Sequence, residues 1–217
     1  MPCMLLSAQT SITTADTFFS SVSDVYASIR DYSANITITS GTGSRAETMT
    51  GRVIFKVPHL LRIDFTRPDE QAIVFNGDML TIYLPSYNVV LNQSVEKSSS
   101  ASGASLATPQ GLALMKRFYS VAYEEGPDPV PIRENARETV IVLLLSRRSA
   151  TEMFRTIRLK ISPESKLIRV IEAQTVTGDQ ITFEFSDYSL NQGILDNRFI
   201  YDAPPSANAF NNFLFSE

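Results

Sequence analysis

The chain has 217 residues, of which 43% are hydrophobic and 19% charged, and its formal net charge is −4. A chain of this length buries roughly 70% of its unfolded surface, so it can fold without disulfides or metals. The negative charge argues against nucleic acid as the main partner, since phosphate binding needs a concentrated basic face. The sequence has one cluster of basic residues, but along the strand these residues alternate with apolar ones. This alternation predicts a solvated outer strand face. It comprises Arg147, Arg148, Arg155, Arg158 and Lys160.

The N-terminus allows two interpretations. Residues 1–12 lack the positively charged start of a signal peptide, but Ala8 before Gln9 resembles the small residue of a cleavage site. This tail is therefore either a frayed end or the remnant of an export signal. Cys3 is the single cysteine, which excludes an internal disulfide. Because neither half of the chain holds a complete sheet with its own cover, residues 13–217 are expected to form one domain.

The first predicted element is a helix, and six strands follow it. Two threonines can cap a helix whose apolar stripe is wide enough to need a sheet as its partner. From Tyr32 the apolar period changes to two, and tight turns such as Asn76-Gly77-Asp78 separate short strands, which favours an antiparallel meander. The helix signals are Thr13, Thr14, Phe18, Phe19, Val22, Val25, Tyr26 and Ile29. The strands are predicted at 36–38, 53–57, 61–65, 71–75, 79–84 and 87–95.

The middle of the chain breaks this pattern. Residues 97–107 are rich in Ser, Ala and Gly and predict a mobile loop. Pro109 marks a helix start, and the apolar segment after it is too short to be stable unless it docks on another element. The apolar residues of this segment are Leu112, Leu114, Met115 and Phe118.

Further strands follow a proline-rich stretch at 126–131. They are predicted at 139–145, 154–161, 167–176 and 181–188, with a short strand around 199–201. Because residues 140–145 are apolar on both strand faces, we expect cover on both sides of this strand. The predicted fold class is mostly β, with one curved antiparallel sheet and two helical segments as its cover.

The sequence offers little material for catalysis. His59 is the single histidine and follows Pro58 in a predicted turn, with no nucleophile-elbow motif beside it, so we interpret it as a surface residue. A lipid-modifying enzyme that uses His59 is the alternative. One histidine and one cysteine cannot form a typical zinc site, and no glycine-rich phosphate loop or calcium loop is present. We expect no catalytic residue, no metal and no cofactor.

The strands share an apolar face that is the candidate binding surface. An ordinary filled core is the simpler interpretation of this face. Two helices are a small cover for some ten strands, however, so a cavity like that of ligand-holding barrels is the alternative. The residues concerned are Ile36, Ile38, Val53, Phe55, Val57, Leu61, Ile63, Phe65, Ile73, Ile82, Ile157 and Phe183.

Four consecutive motifs carry a more specific signal. They are GRVIFKVP at 51–58, LLRIDF at 60–65, PDEQAIVFNG at 68–77 and LTIYLP at 80–85. This succession resembles the outer-membrane lipoprotein carrier family (LolA-like), and FIYDAPP at 199–205 is similar to that family's ending. The order of helix, six strands, loop, short helix and further strands also fits.

The resemblance implies an unclosed β-barrel whose helices form a lid over an apolar cavity lined by these residues. It implies a carrier in the periplasm of a diderm bacterium, which we expect to be a monomer. Such a carrier takes lipoproteins from an inner-membrane lipoprotein-releasing transporter, shields their acyl chains and delivers them to an outer-membrane acceptor. Shielding is needed because each acyl CH₂ left in water costs about 0.8 kcal/mol. A lipid- or lipoprotein-sensing regulatory module of the cell envelope is the alternative.

Three positions depart from the family pattern. Val57 stands where well-known members carry an arginine thought to hold the lid by hydrogen bonds, and Ile63 and Thr81 replace tryptophans. Without that arginine, we expect apolar side chains of the second helix to hold the lid closed.

Overall fold

The computed structural model describes residues 13–95 and 107–212 and has a mostly β fold. Residues 1–12 of the predicted tail and residues 97–106 of the predicted mobile loop lie outside these ranges. Within the ranges, the helices are α1 (Ala15–Ser28) and α2 (Pro109–Phe118). The strands are β1 (Asp31–Ser40), β2 (Glu47–Lys56), β3 (Leu60–Arg67), β4 (Asp69–Phe75), β5 (Met79–Leu84), β6 (Val89–Ser94), β7 (Tyr119–Tyr123), β8 (Val130–Pro131), β9 (Thr139–Arg147), β10 (Phe154–Ile161), β11 (Ile168–Thr175), β12 (Gln180–Leu190) and β13 (Asn208–Asn211).

The strands form one sheet. Its order is β13-β6-β5-β4-β3-β2-β1-β12-β11-β10-β9-β7, and β8 also pairs with β9. Neighbouring strands are antiparallel except for β13, which runs parallel to β6. The predicted meander of six strands is confirmed as β1 to β6. In the described ranges the end strands β13 and β7 do not pair with each other, so the barrel is unclosed.

The sheet curves around its helices. Ile63 of β3 and Leu143 of β9 belong to one buried cluster that also contains residues of α1 and α2. Six strand spacings separate β3 from β9 in the sheet order, which would be about 29 Å in a flat sheet. The helices therefore occupy the inside of the curve, and side chains in phase with Ile63 form the inner face.

Helix α1 forms as the sequence predicts. The Thr14 side chain caps it by accepting a hydrogen bond from the Thr17 N–H at 3.2 Å. Its apolar stripe faces the sheet, with Phe19, Val22 and Tyr26 at most 1% exposed. A helix of this length is only marginally stable alone, so the packing of this stripe against the sheet stabilises it.

A mostly irregular segment that includes β8, the outer strap (residues 124–138), covers part of the outer face. On the outer side of β9, Val140 and Val142 are buried although they do not belong to the inner cluster. The expected cover on both sides of this strand is therefore confirmed. β8 pairs with β9 at Val140. Three ion pairs attach the strap to β10, β11 and β12. They are Glu124 with Arg158, Arg133 with Glu184, and Glu138 with Arg169.

The sheet beneath the outer strap carries an acidic residue held by two cations. Glu172 binds Arg158 at 2.7 Å and Lys160 at 2.8 Å on the outer face, where a solvated basic strand was predicted. Burial alone would raise the pKa of Glu172, but the hydrogen bonds from Lys160 and Arg158 outweigh it and lower this pKa below the ordinary value of 4.5. The folded protein therefore holds this proton less tightly than the unfolded chain does.

Glu172→Gln is expected to remove stability that depends on pH. With the folded pKa lowered, the contribution of Glu172 is fully present above about pH 4.5 and is lost as the pH falls through the folded pKa. The variant should be less stable than the parent at neutral pH, and the two should converge in acid. Urea titrations at several pH values measure this. Glu164→Gln, at an exposed turn position, is the matched control. The prediction would be contradicted if the free energies of unfolding of Glu172→Gln and the parent differed by the same amount at all pH values.

The C-terminal segment differs from the prediction. No strand forms around 199–201. Instead a 3-10 turn at Asp196–Phe199 leads into an extended segment on the outer face. The physical reason is Arg62, whose guanidinium donates to the carbonyls of Arg198 at 3.1 Å and Ile200 at 3.4 Å. These carbonyls accept hydrogen bonds from a side chain and not from the backbone of a neighbouring strand. Tyr201 then packs on Tyr83 of β5, with ring centroids 5.8 Å apart.

Candidate functional site

The inner face brings most of the predicted lining residues together. Nine of the twelve are buried in the cluster that includes both helices. Val57 and Ile73 are half-buried and pack against this cluster. Ile82 is half-buried and lies outside it. The nine are Ile36, Ile38, Val53, Phe55, Leu61, Ile63, Phe65, Ile157 and Phe183.

Helix α2 covers the inner face with two of its four predicted apolar residues. Leu112 is 0% and Met115 2% exposed, and both belong to the inner cluster. Phe118 is half-buried against the cluster, whereas Leu114 is half-buried outside it. Thr108 caps the helix by accepting from the Gly111 N–H at 3.1 Å, and Pro109 is its first residue, as predicted.

Side chains of the two helices fill the inner side of the curve in this structure. Phe19 and Tyr26 of α1 and Leu112 and Met115 of α2 are among the largest fully buried side chains. Two pockets, of about 400 and 250 Å³, lie on the outer face. An apolar ligand that took the place of these buried side chains would have to displace them from the inner face.

Three tyrosines place hydroxyl groups near one another in this interior. The Tyr32 hydroxyl donates to the Ala107 carbonyl at 3.0 Å, and the Tyr188 hydroxyl donates to the Ile168 carbonyl at 2.8 Å. The Tyr26 hydroxyl accepts from the Ile168 N–H at 3.1 Å. Burial raises the pKa of all three hydroxyls, so they stay neutral.

Sequence reasoning did not single out the hydroxyl groups of these tyrosines. A signal was present for Tyr32, since it lies in phase with Ala34 and Ile36 on the inner face of β1. For Tyr188 no such signal exists, because the positive φ of Asp187 and a register shift in the β1–β12 pairing interrupt the alternation. The period of two ends at that irregularity.

The Tyr32 hydrogen bond ties the start of α2 to the sheet. Ala107 is 1% exposed, so the described end of the predicted mobile loop is fixed in the interior. Val57 has no side-chain hydrogen-bond donor, and its backbone N–H donates to the Arg30 carbonyl at 2.9 Å. The helix is also linked to α1, because Lys116 Nζ donates to Ser20 Oγ at 2.9 Å. Apolar packing and these two polar links therefore hold α2 against the sheet and α1.

Tyr32→Phe is expected to loosen the start of α2 while leaving the sheet intact. The change leaves the buried Ala107 carbonyl without its donor, which costs about 1–3 kcal/mol. Hydrogen exchange should become faster at residues 108–115 and stay unchanged in β10 and β11. The matched control is Tyr87→Phe, because Tyr87 is 75% exposed. Unchanged exchange in α2 would contradict the role given to this hydrogen bond.

Comparison with known protein families gives a match over most of the chain. The family described as "Outer membrane lipoprotein carrier protein LolA" matches residues 35–202. This chain belongs to the LolA family. The matched region contains part of β1, all of β2 to β12 and all twelve predicted lining residues. The resemblance inferred from the motifs at 51–85 is thereby confirmed.

Relatives within the LolA family cover most of the chain. The outer-membrane lipoprotein carrier protein of Leptothrix cholodnii is 28% identical over 197 residues, which are 85% of this chain and 84% of that protein. The carrier protein of Pseudomonas aeruginosa is 23% identical over 165 residues, covering 76% and 73%. These identities support membership of the LolA family but are too low to transfer individual residue roles.

Solved structures share the LolA-like fold. An uncharacterized conserved protein from Thermus thermophilus superimposes with a TM-score of 0.56 at 11% identity, covering 88% of this chain and 98% of that one. The Pseudomonas aeruginosa MucA/MucB complex gives 0.52 at 10% identity, covering 89% and 62%. At such identities the likeness concerns the fold alone.

The described residues contain few other candidate sites. His59 is exposed in the turn between β2 and β3, as predicted. Within the described ranges, no group of three or more His, Cys, Asp or Glu residues lies close enough to hold a metal ion. None of the helices described is both long and apolar enough to cross a membrane.

Proposed function

We propose that this protein is a periplasmic carrier that shields the acyl chains of lipoproteins against the inner face and delivers them towards the outer membrane. The observation that carries the proposal is the inner cluster, in which a sheet face of aliphatic and aromatic residues is covered by two helices. The same residues that pack against Leu112 and Met115 would contact acyl chains once α2 moved away. The names of the curated relatives support this cargo.

The way in which α2 is attached supports reversible opening. The helix has ten residues, which is too short for independent stability, so its order depends on docking. Its polar links are the Tyr32–Ala107 hydrogen bond and the Lys116–Ser20 contact. An acyl chain that replaced Leu112 and Met115 would exchange one apolar contact for another. The free energy of binding would then stay small enough for release.

The proposed partners follow from the same cargo. The chain would receive lipoproteins from an inner-membrane lipoprotein-releasing transporter and pass them to an outer-membrane acceptor, acting as a monomer. We further propose that it is a binder and not an enzyme. His59→Ala should leave transfer unchanged, because His59 is exposed in a turn away from the inner face.

The test is transfer of an acylated lipoprotein between donor and acceptor membranes, with native mass spectrometry of the protein in between. We expect a stoichiometric complex and movement of cargo to the acceptor. Ile73→Gln should weaken the complex, since it places an amide on the inner face at a half-buried position that tolerates it. Ile200→Gln is the matched control, because Ile200 is 67% exposed outside the inner cluster.

Two results would count against the carrier. Absence of any bound acylated cargo would reject the proposal, and so would equal binding by Ile73→Gln and the parent. Binding without delivery to the acceptor would instead favour a lipoprotein-sensing regulatory module.

A further inference from the structure

The 400 Å³ pocket on the outer face lies between the outer strap and strands β11, β12 and β1. Its volume falls within the range of small-molecule sites. Apolar residues of both the strap and the sheet contribute to it, including Ile132 and Val170, and Thr37 and Ser186 line it from β1 and β12. Most of its lining side chains belong to the outer face, and Phe185 of the inner cluster also borders it. The proposed acyl site lies on the opposite face of the sheet.

The pocket carries an uncompensated positive charge. Three arginines and two glutamates line it. Two of the arginines are paired, Arg169 with Glu138 at 2.6 Å and Arg133 with Glu184. Arg137 is exposed, and within residues 13–95 and 107–212 it forms no ion pair. The pocket therefore has a local charge of about +1 on a chain whose net charge is −4.

The residue types in the pocket select the chemistry of its ligand. A guanidinium binds two oxygens of a phosphate at once, and the flanking Arg133 and Arg169 add further donors at the same opening. A phosphodiester carries one negative charge, which matches the single uncompensated arginine. Hydroxyl-bearing Thr37 and Ser186 suit a polyol such as glycerol, and the aliphatic residues suit its carbon atoms.

We propose that this pocket binds a phosphate group, either as part of a glycerophospholipid head group or as free phosphate. The site would place the outer strap beside an anionic ligand while the inner face holds apolar chains. Its binding strength should fall with added salt, because Arg137 is exposed and its charge is screened.

Calorimetric titration with two probes tests the proposal. Glycerophosphoglycerol represents the lipid head group, and inorganic phosphate represents the free ion. Since neither probe has an acyl chain, the result does not depend on the inner face or on the proposed carrier function. We expect binding that Arg137→Gln weakens about tenfold, as for the loss of a charged hydrogen bond. The matched control is Arg155→Gln, which removes an exposed strand arginine outside the pocket and should leave binding unchanged.

The relative affinities identify the source of the phosphate. Tighter binding of glycerophosphoglycerol supports a lipid head group, and tighter binding of inorganic phosphate supports the free ion. Equal weakening by Arg137→Gln and Arg155→Gln would overturn the proposal, because it would reflect only the net charge. Absence of binding by both probes would overturn it as well. Unchanged thermal unfolding of Arg137→Gln verifies that the variant is folded.

Discussion

Replacing Leu112 with alanine is expected to destabilise the protein by about 2–5 kcal/mol and to open the inner face to apolar ligands. Leu112 is 0% exposed and packs in the inner cluster from α2, which is the smaller of the two covering helices. Its truncation leaves a cavity lined by the apolar inner face. Urea unfolding gives the change in free energy, and the binding of a fluorescent fatty acid gives the access to the inner face.

Leu114→Ala is the matched control for this change. It removes the same atoms from the same helix, but Leu114 is half-buried and lies outside the inner cluster. We expect it to cost less than about 1 kcal/mol and to leave probe binding unchanged. If both variants bound the probe equally, α2 would not be the element that controls access. If neither bound more than the parent, the inner face would be an ordinary filled core.

Replacing Gly51 with alanine is expected to cost about 3 kcal/mol or more. A Cβ at this position would lie 2.3 Å from the Asp64 carbonyl oxygen and 2.8 Å from the Phe65 Cα. Both are backbone atoms of β3, so no side-chain rotation can relieve the overlap. The β2–β3 register shifts between Thr50 and Gly51, which means that the close approach is part of the strand pairing.

Glu47→Ala provides the comparison, because it introduces the same side chain at an exposed position of the same strand. Its effect should stay within about 0.5 kcal/mol. Denaturation by urea measures both variants. A Gly51→Ala protein as stable as the Glu47→Ala protein would show that β2 and β3 can separate without loss of stability.

The filled inner side has a consequence for a carrier. If acyl chains bind the inner face as proposed, they would replace side chains of α1 and α2, so binding would exchange protein contacts and not water. Each CH₂ buried contributes about 0.8 kcal/mol, but the displaced Leu112 and Met115 would lose a comparable amount. This near balance favours exchange over permanent capture. It also makes the Tyr32–Ala107 hydrogen bond significant, since a link of 1–3 kcal/mol can decide a balanced equilibrium.

Local patterns in the sequence were sufficient for most of the fold. The alternation around Ile36, Ile63 and Ile157 predicted which strand faces are buried, because side chains on one strand point alternately to the two faces of the sheet. The stripe of α1 and the Pro109 start of α2 were equally readable, since capping and periodicity are properties of neighbouring residues.

Errors arose where distant residues compete for backbone groups. The predicted strand at 199–201 failed because Arg62, more than 130 residues away, binds the carbonyls of this segment. β7, the two-residue β8 and β13 were also missed. β7 follows α2 without a turn signal, and β13 pairs in parallel with β6, so neither has the hairpin turn by which antiparallel strands are recognised.

The sequence by itself determined the inner face, the two covering helices and, through the motifs at 51–85, the resemblance to the LolA family. Each of these depends on residues close together in the chain. Only the tertiary structure decided what those elements enclose. Burial of Leu112 but not Leu114, the attachment of Ala107 by Tyr32 and the charged pocket under the outer strap all join residues far apart in sequence. Such contacts depend on curvature and on which donor reaches which acceptor, and neither is encoded in a local period.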